Sequence, residues 1–326
     1  MMHVTGKQFM QLGLPSGDRR RRNKLGKLLV LLFSCLFFVP ASAQDEVTVV
    51  YPMVREPFSN VYRDLIAGIR SGYSGVVNEF PVNGHFSRSL LSAHVGGTEQ
   101  KAVIALGNKS LDVVASADMD VPVYAAVARV EPGSVIEGGI LLEADAQVYL
   151  SRLLEIFPQT GTVHVVYNPE HHQSLIDTAT AYLKNKRISF NAAPATDVRT
   201  AALAFRDIVK KARRNDAVWL MSDAALIDGT LLKVVLDAAW DKRLAVFSST
   251  PVFVKRGALF AIYPDNIGIG HRLGRMADEA SSERGRGGVE TLKDVKVAFN
   301  ERTGNHIGVK LTAQSRANIE LFLPEM

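Results

Sequence analysis

Short apolar runs alternate with longer amphipathic stretches along most of the chain, and this alternation restricts the fold more than any other feature. "EVTVVYP", "KAVIALG", "VPVYAAVAR", "GTVHVVYNP", "DAVWLMS", "RLAVFSS" and "ALFAIYP" are almost continuous in apolar character. The segments between them have helical spacing. In "FSNVYRDLIAGIRSGY" it falls on Phe58, Val61, Leu65, Ile66 and Ile69. Strands without polar alternation, separated by amphipathic helices, predict parallel sheets covered on both faces. There are more such units than one sheet holds comfortably, and "FPQTGT" near 157–162 reads as a restart. The expected fold is therefore α/β with two doubly wound parallel-sheet lobes. "GHRLGRMADEAS" is read as a late helix, "ERGRGG" as a loop and "VKVAFN" as the last strand.

The sequence pI of 9.2 suggests a nucleic-acid partner until the charges are located. Residues 1–43 carry seven Lys/Arg and one acid, Asp18, leaving a formal charge of −1 on the remainder. The basic character belongs to the leader, so the electrostatic case for a nucleic-acid partner disappears. That leader has a basic stretch, "RRRRNKLGK", then the apolar run "LLVLLFSCLFFV", then "PASAQ" with small residues at Ala41-Ser42-Ala43. The apolar run is short for a membrane span, which needs roughly 20 residues. The three parts predict a signal peptide over 1–43, cleaved after Ala43, and a secreted chain beginning at Gln44. Cys35, the single cysteine, lies inside the apolar run, where it makes a poor lipidation site. The secreted chain then has no disulfide, thiol nucleophile or cysteine-ligated zinc.

Ligands of doubly wound sheets sit at the carboxyl ends of the strands. Those ends carry Tyr51-Pro52, Gly107-Asn108-Lys109-Ser110, Tyr167-Asn168, Ser222-Asp223, Ser248-Ser249-Thr250, and Tyr263 with Asp265. Short hydrogen-bonding groups, aromatic faces and helix N-terminal amides suit a small polar or zwitterionic ligand. Asn, Ser and Asp at such positions equally cap helices, and Asp223 could simply cap the helix that follows it. Gly107–Ser110 lacks the second glycine and the spacing of a phosphate loop, and the glycines of "GIGHRLG" read as sites of close helix packing.

His171-His172 raises the question of a metal. Adjacent residues on a helix point about 100° apart, and no third ligand accompanies them at a metal-binding spacing, so no metal is expected. Either one of the pair reaches the cleft or both belong to a solvated helix start. There is no G-x-S-x-G, and nothing marks a nucleophile, so an enzyme is not expected.

Five stretches in order, "VPVYAAVARVEPG", "TVHVVYNPEHHQSL", "AVWLMSDAALIDGTLL", "LAVFSSTPVFVKRGALFAIYPDNIGIGHRLGRMA" and "VAFNERTGNHIGVKL", resemble the ABC transporter substrate-binding proteins of the type I periplasmic-binding fold. The nearest branch includes binders of tryptophan and other aromatic amino acids. The resemblance runs from about Val47 to Leu311. It departs from the family at Gly304, where alanine is usual, and in the loosely similar N-terminal "YPMVREPFSNVYRDLIAGI".

The resemblance implies a hinge and an interlobe cleft. Lobe 1 would take 46–142 plus 266–281, and lobe 2 would take 143–262 plus 290–326. It implies a periplasmic solute-binding protein, monomeric and without cofactor, that passes a small amino-acid-like ligand to an ABC permease. The same fold also serves as a ligand-sensing module for a membrane-bound sensor kinase or cyclase, or as a ligand-free interaction protein of the envelope. Six residues are implied at the cleft: Tyr51, Asn108, Tyr167, Asn168, Asp223 and Ser249. Asp223 would pair a ligand ammonium, Asn108 and Ser249 would bind a carboxylate, and Tyr51 and Tyr167 would pack an apolar part.

Overall fold

The structure, a computed structural model, describes residues 45–55, 58–83, 88–97, 100–117, 119–131, 133–280 and 288–324. The expected signal peptide and nearly all of the "ERGRGG" loop lie outside these residues. The described residues fall in one compact unit, Gln44–Met326. Its strands are β1 (Glu46–Pro52), β2 (Val76–Val82), β3 (Gln100–Leu106), β4 (Val123–Val127), β5 (Gly138–Ala144), β6 (Thr162–Tyr167), β7 (Ser189–Pro194), β8 (Ala217–Leu220), β9 (Ala245–Ser248), β10 (Phe260–Pro264), β11 (Gly288–Leu292), β12 (Val295–Asn300) and β13 (Leu321–Leu323). Its helices are α1 (Phe58–Gly72), α2 (Arg88–Gly96), α3 (Asn108–Ser116), α4 (Ala146–Ile156), α5 (Pro169–Lys186), α6 (Val198–Lys211), α7 (Gly229–Lys242), α8 (Pro251–Lys255), α9 (Asn266–Asp278), α10 (Glu301–Ile307) and α11 (Ala313–Ala317).

The strands form two sheets, in the orders β11-β5-β4-β3-β1-β2 and β13-β12-β10-β9-β8-β6-β7. This is the two-lobed α/β fold expected from the alternation. Central strands are buried on both faces: every residue from Ala102 to Leu106 in β3 is fully buried. Alternate residues feed separate cores. In lobe 1, Val47, Val49, Ile104 and Tyr124 pack under α1 and α9, whereas Val50, Val103, Ala105 and Ala125 pack under α2 and α3. In lobe 2, Val163, Val165, Trp219 and Phe247 face α4 and α5, whereas Val166, Val218, Leu220 and Val246 face α6 and α7.

Three corrections to the expected organisation follow. β11 pairs in parallel with β5 and is an edge of the first sheet, so residues 290–292 belong to lobe 1 rather than lobe 2. β5 runs through Ala144, past the expected boundary at 142. β12, the expected last strand, is followed by β13 and pairs antiparallel to β10, so the second sheet is not wholly parallel. Gly304, the departure from the family pattern, has a steric reason. A Cβ there would lie 2.6 Å from Cζ of Phe299.

The chain passes between lobes three times, at 144–146, 264–266 and 292–295. Two crossovers are tied together. The backbone N–H of Asp265 donates to the carbonyl of Asp294 (2.9 Å). Lys296 Nζ pairs with Asp265 Oδ1 (2.8 Å), and Arg272 Nε with Asp294 Oδ2 (3.0 Å).

The middle crossover returns the chain to lobe 1 as α9, which lies against α1 with backbones nearly touching. Gly68 and Gly72 of α1 meet Gly270 and Gly274 of α9. A Cβ on Gly270 would overlap the Leu65 carbonyl oxygen and lie 3.0 Å from Gly68 Cα. A Cβ on Gly274 would lie 2.5 Å from the Ile69 carbonyl oxygen. These obstacles are backbone atoms, so no side-chain rotation relieves the overlap. Gly270→Ala is expected to destabilise the protein by about 1–3 kcal/mol, seen as a melting temperature several degrees lower. Gly96→Ala has nothing within 4 Å of the new Cβ and should leave the melting temperature unchanged or slightly raised. Equal effects of the two substitutions would refute the close-packing account.

Candidate ligand-binding site

Every crossover leaves a sheet at, or enters the next from, the carboxyl end of a parallel strand. β5 runs into α4, β10 into α9, and β11 ends beside Ala144 before β12 begins. The polar strand ends therefore gather at the hinge. Glu143, at the end of β5 in lobe 1, stands 3.9 Å (Oε1 to Nε2) from His172 in the first turn of α5 in lobe 2.

On lobe 2, Asp223 follows β8 and does two things at once. Its Oδ1 accepts the Ala225 N–H (2.9 Å), holding the turn. Its Oδ2 is buried and has no hydrogen-bond partner. The neighbouring imidazole of His171 lies 3.8 Å away, too far for a hydrogen bond. A buried carboxylate oxygen without a donor is costly, and an incoming N–H group would relieve that cost.

Asn168 is the N-cap of α5. Its Oδ1 accepts the Glu170 N–H (3.1 Å), and its amide lies 3.4 Å from His171 Nδ1. The capping reading therefore describes its oxygen, and the residue positions His171 beside Asp223. Ser249, half-buried after β9, lies beside the hydroxyl of Tyr149. Burial, and then the charge of Glu143, push the Tyr149 phenol up from its ordinary value, while the Ser249 contact opposes them.

Tyr167 continues the face of Val163 and Val165 into the core under α5, and its hydroxyl donates to Gln173 Oε1 (3.0 Å).

On lobe 1, Tyr51 ends β1 in a cavity of about 380 Å³ that it shares with Tyr62, Ser59, Arg70 and Glu79. The Tyr51 and Tyr62 rings stack at 6.2 Å. The Tyr51 hydroxyl donates to Glu79 Oε2 (2.8 Å), and Arg70 holds the other oxygen of Glu79. Asn108 opens α3 as a brace: Nδ2 donates to the Arg129 carbonyl (2.7 Å) and Oδ1 accepts the Ala128 N–H (3.0 Å). The preceding Gly107 has φ +85°, a conformation that favours glycine, and a Cβ there would lie 3.5 Å from the Tyr62 hydroxyl. Ser110, in the first turn of α3, is fully buried, and its hydroxyl has no partner.

The structure thus groups Asn168 and Asp223 around His171, links Tyr51 to Asn108 through Tyr62 and Gly107, and sets Ser249 against Tyr149. The sequence reading took Glu143 and Asp145 of "LLEAD" for solvated loop carboxylates, passed over Tyr149, Tyr62 and Ser59, and did not assign the two histidines to separate carboxylates. For the histidines a signal existed: the first turn of a helix that starts at a strand's carboxyl end faces the crevice. The His171 and His172 rings stand edge to face at 6.0 Å and turn to different carboxylates. Among the described residues no three His, Cys, Asp or Glu side chains gather as a metal set, and no helix is long and apolar enough to cross a membrane.

Tyr51 gives a direct check of the lobe 1 geometry. Burial first, and then its bond to Glu79, push the phenol from 10.0 up to about 12. The folded protein keeps a proton that the unfolded chain loses, so Tyr51 makes stability fall as pH rises from 10.0 to about 12 and adds no pH dependence below that window. In a spectrophotometric titration, the Tyr51 signal (wild type minus Tyr51→Phe) should appear near pH 12, and Glu79→Gln should move it toward 10.0. A titration unaffected by Glu79→Gln would contradict the pairing.

Residues 94–313 match the family described as ABC transporter substrate binding protein. Three solved structures share the fold. The ligand-free, open structure of CD0873, a substrate binding protein with adhesive properties from Clostridium difficile, aligns at TM-score 0.66 and 16% identity, covering 86% of this chain and 100% of that one. An ABC domain from Streptococcus pneumoniae in complex with L-Trp aligns at 0.55 and 16%, with coverage of 86% and 100%. A conserved domain protein from Vibrio cholerae aligns at 0.53 and 18%, with coverage of 86% and 99%. No curated protein matches the chain in sequence at a significant level. The family match spans well over half of the chain, and the protein belongs to the ABC transporter substrate-binding protein family.

Proposed function

We propose that the protein is the periplasmic ligand-capturing component of an ABC importer, that it acts without catalysis, and that its ligand is a small zwitterion of the amino-acid type. The observation that carries the ligand class is the buried, partnerless Oδ2 of Asp223. Its counterpart on lobe 1 is the start of the nine-residue α3, with the buried Ser110 hydroxyl in its first turn. A ligand ammonium at Asp223 and a carboxylate at α3 would engage both lobes, so that binding favours closure about the hinge. Asn108 keeps one amide hydrogen for the carboxylate, Ser249 offers its hydroxyl, and the stacked Tyr51 and Tyr62 pack the apolar part. Tyr167 and Asn168 have supporting roles. The L-Trp complex of the streptococcal structure supports an amino-acid ligand. The leader ending at Ala43 fits delivery to the periplasm, with the protein acting there as a monomer beside its permease.

Calorimetric titration against the common amino acids should find at least one that binds one to one. Asp223→Asn should weaken that ligand roughly thirtyfold or more, as expected for removing one partner of a buried charge pair. Undiminished affinity in Asp223→Asn, or binding only of uncharged sugars, would sink this reading.

A further inference from the structure

Lobe 2 has a second concavity, away from the cleft. It lies on the flank where α7, α8, the start of α10 and β13 meet, has a volume of about 610 Å³ and contains none of the cleft residues. Its wall carries three cations: Lys255 and Arg256 from the end of α8, and Arg302 from the first turn of α10. None of the three pairs with a carboxylate among the described residues. Nearby acids are engaged elsewhere, Asp237 by Lys233 and Glu301 by Arg316 (2.8 Å). Arg302 is oriented by an aromatic ring: its guanidinium carbon lies 5.3 Å from the centre of the Trp240 ring. That ring is itself fixed, stacked on His306 at 3.7 Å with the planes 2° apart, and His306 Nε2 donates to the Trp240 carbonyl (2.9 Å). Arg243 N–H caps the carbonyls of Ala239 and Trp240, so the end of α7 does not present bare negative poles to the cavity.

Solvated surface cations are common and by themselves mean little. Here three converge on one open concavity of small-ligand size, whose wall also carries Asp237, Asn300 and Thr303 beside the apolar Leu236, Leu323 and Pro324. Among the described residues three cations face one carboxylate there, Asp237, which is itself paired with Lys233, and an oxyanion with two or more oxygens relieves the repulsion of the three while matching the fork of each guanidinium. We propose that this flank is a second ligand site, for a small organic oxyanion, phosphate or carboxylate, carried on an apolar body. It is independent of the cleft ligand.

The test uses the purified full chain in phosphate-free buffer, titrated calorimetrically with phenyl phosphate, benzoate and inorganic phosphate. Phenyl phosphate or benzoate should bind one to one, more tightly than inorganic phosphate. Preference between the first two identifies the oxyanion. Arg256→Gln and Arg302→Gln should each weaken binding roughly tenfold, since each removes a charge-assisted pair. Both residues are exposed, and circular dichroism checks that the variants fold. Asp223→Asn should leave this binding unchanged, which separates the flank from the cleft. The proposal is overturned by no saturable binding of any probe at millimolar concentration, by affinity that survives both arginine substitutions, or by binding that Asp223→Asn abolishes.

Discussion

The approach of α1 to α9 is the contact on which the two-lobed arrangement depends. α9 follows β10 of the second sheet, yet its glycines mesh with those of α1 in lobe 1. Side chains at these four positions would hold the helices apart and loosen the crossover that ends β10. With glycine there, the helices meet through backbone atoms, and Ser74 Oγ reaches across to Asp278 Oδ1 at 2.6 Å. The ion pairs of Asp265 and Asp294 then hold this crossover against the third one. The result is a lobe made of segments distant in sequence, joined to its neighbour by short connections that can flex only together.

The hinge also explains where the chemistry lies. Parallel strands that end at a crossover put helix starts and turn residues at the same edge, so groups that hold the backbone are the groups nearest a ligand. Asn168 and Asn108 satisfy local backbone groups and thereby position His171 and the start of α3. Asp223 holds its turn through one oxygen and leaves the other buried without a partner. Under the proposed function it would be both a cap and a ligand contact, so the two readings of such a residue are not exclusive.

What was legible in the sequence follows burial. The central strands β1, β3, β4, β6, β8, β9 and β10 are apolar on both faces and stand out in the sequence. The strands that did not stand out include all four sheet edges, β2, β7, β11 and β13. An edge strand is half exposed, so its residues alternate: β2, "VVNEFPV", and β11, "GVETL", look like loops. The misplacement of 290–292 in lobe 2 follows from this. β5 was missed for another reason. It opens with Gly138-Gly139, and a Cβ on Gly139 would overlap the Ala125 carbonyl of the neighbouring strand. At the site, strand-end position drew attention to Asp223, Asn108 and Tyr51, but not to which way each side chain turns. Parity does show that Val163, Val165 and Tyr167 share one face of β6.

Hinged capture at the strand ends is the central claim, and small-angle X-ray scattering tests it most directly. Scattering from the protein would be recorded in buffer and again in a saturating mixture of the common amino acids. A ligand that engages Asp223 on one lobe and α3 on the other predicts a smaller radius of gyration in the mixture, and no contraction for Asp223→Asn. An unchanged radius in the mixture, or the same contraction in Asp223→Asn, would contradict capture by closure around that residue.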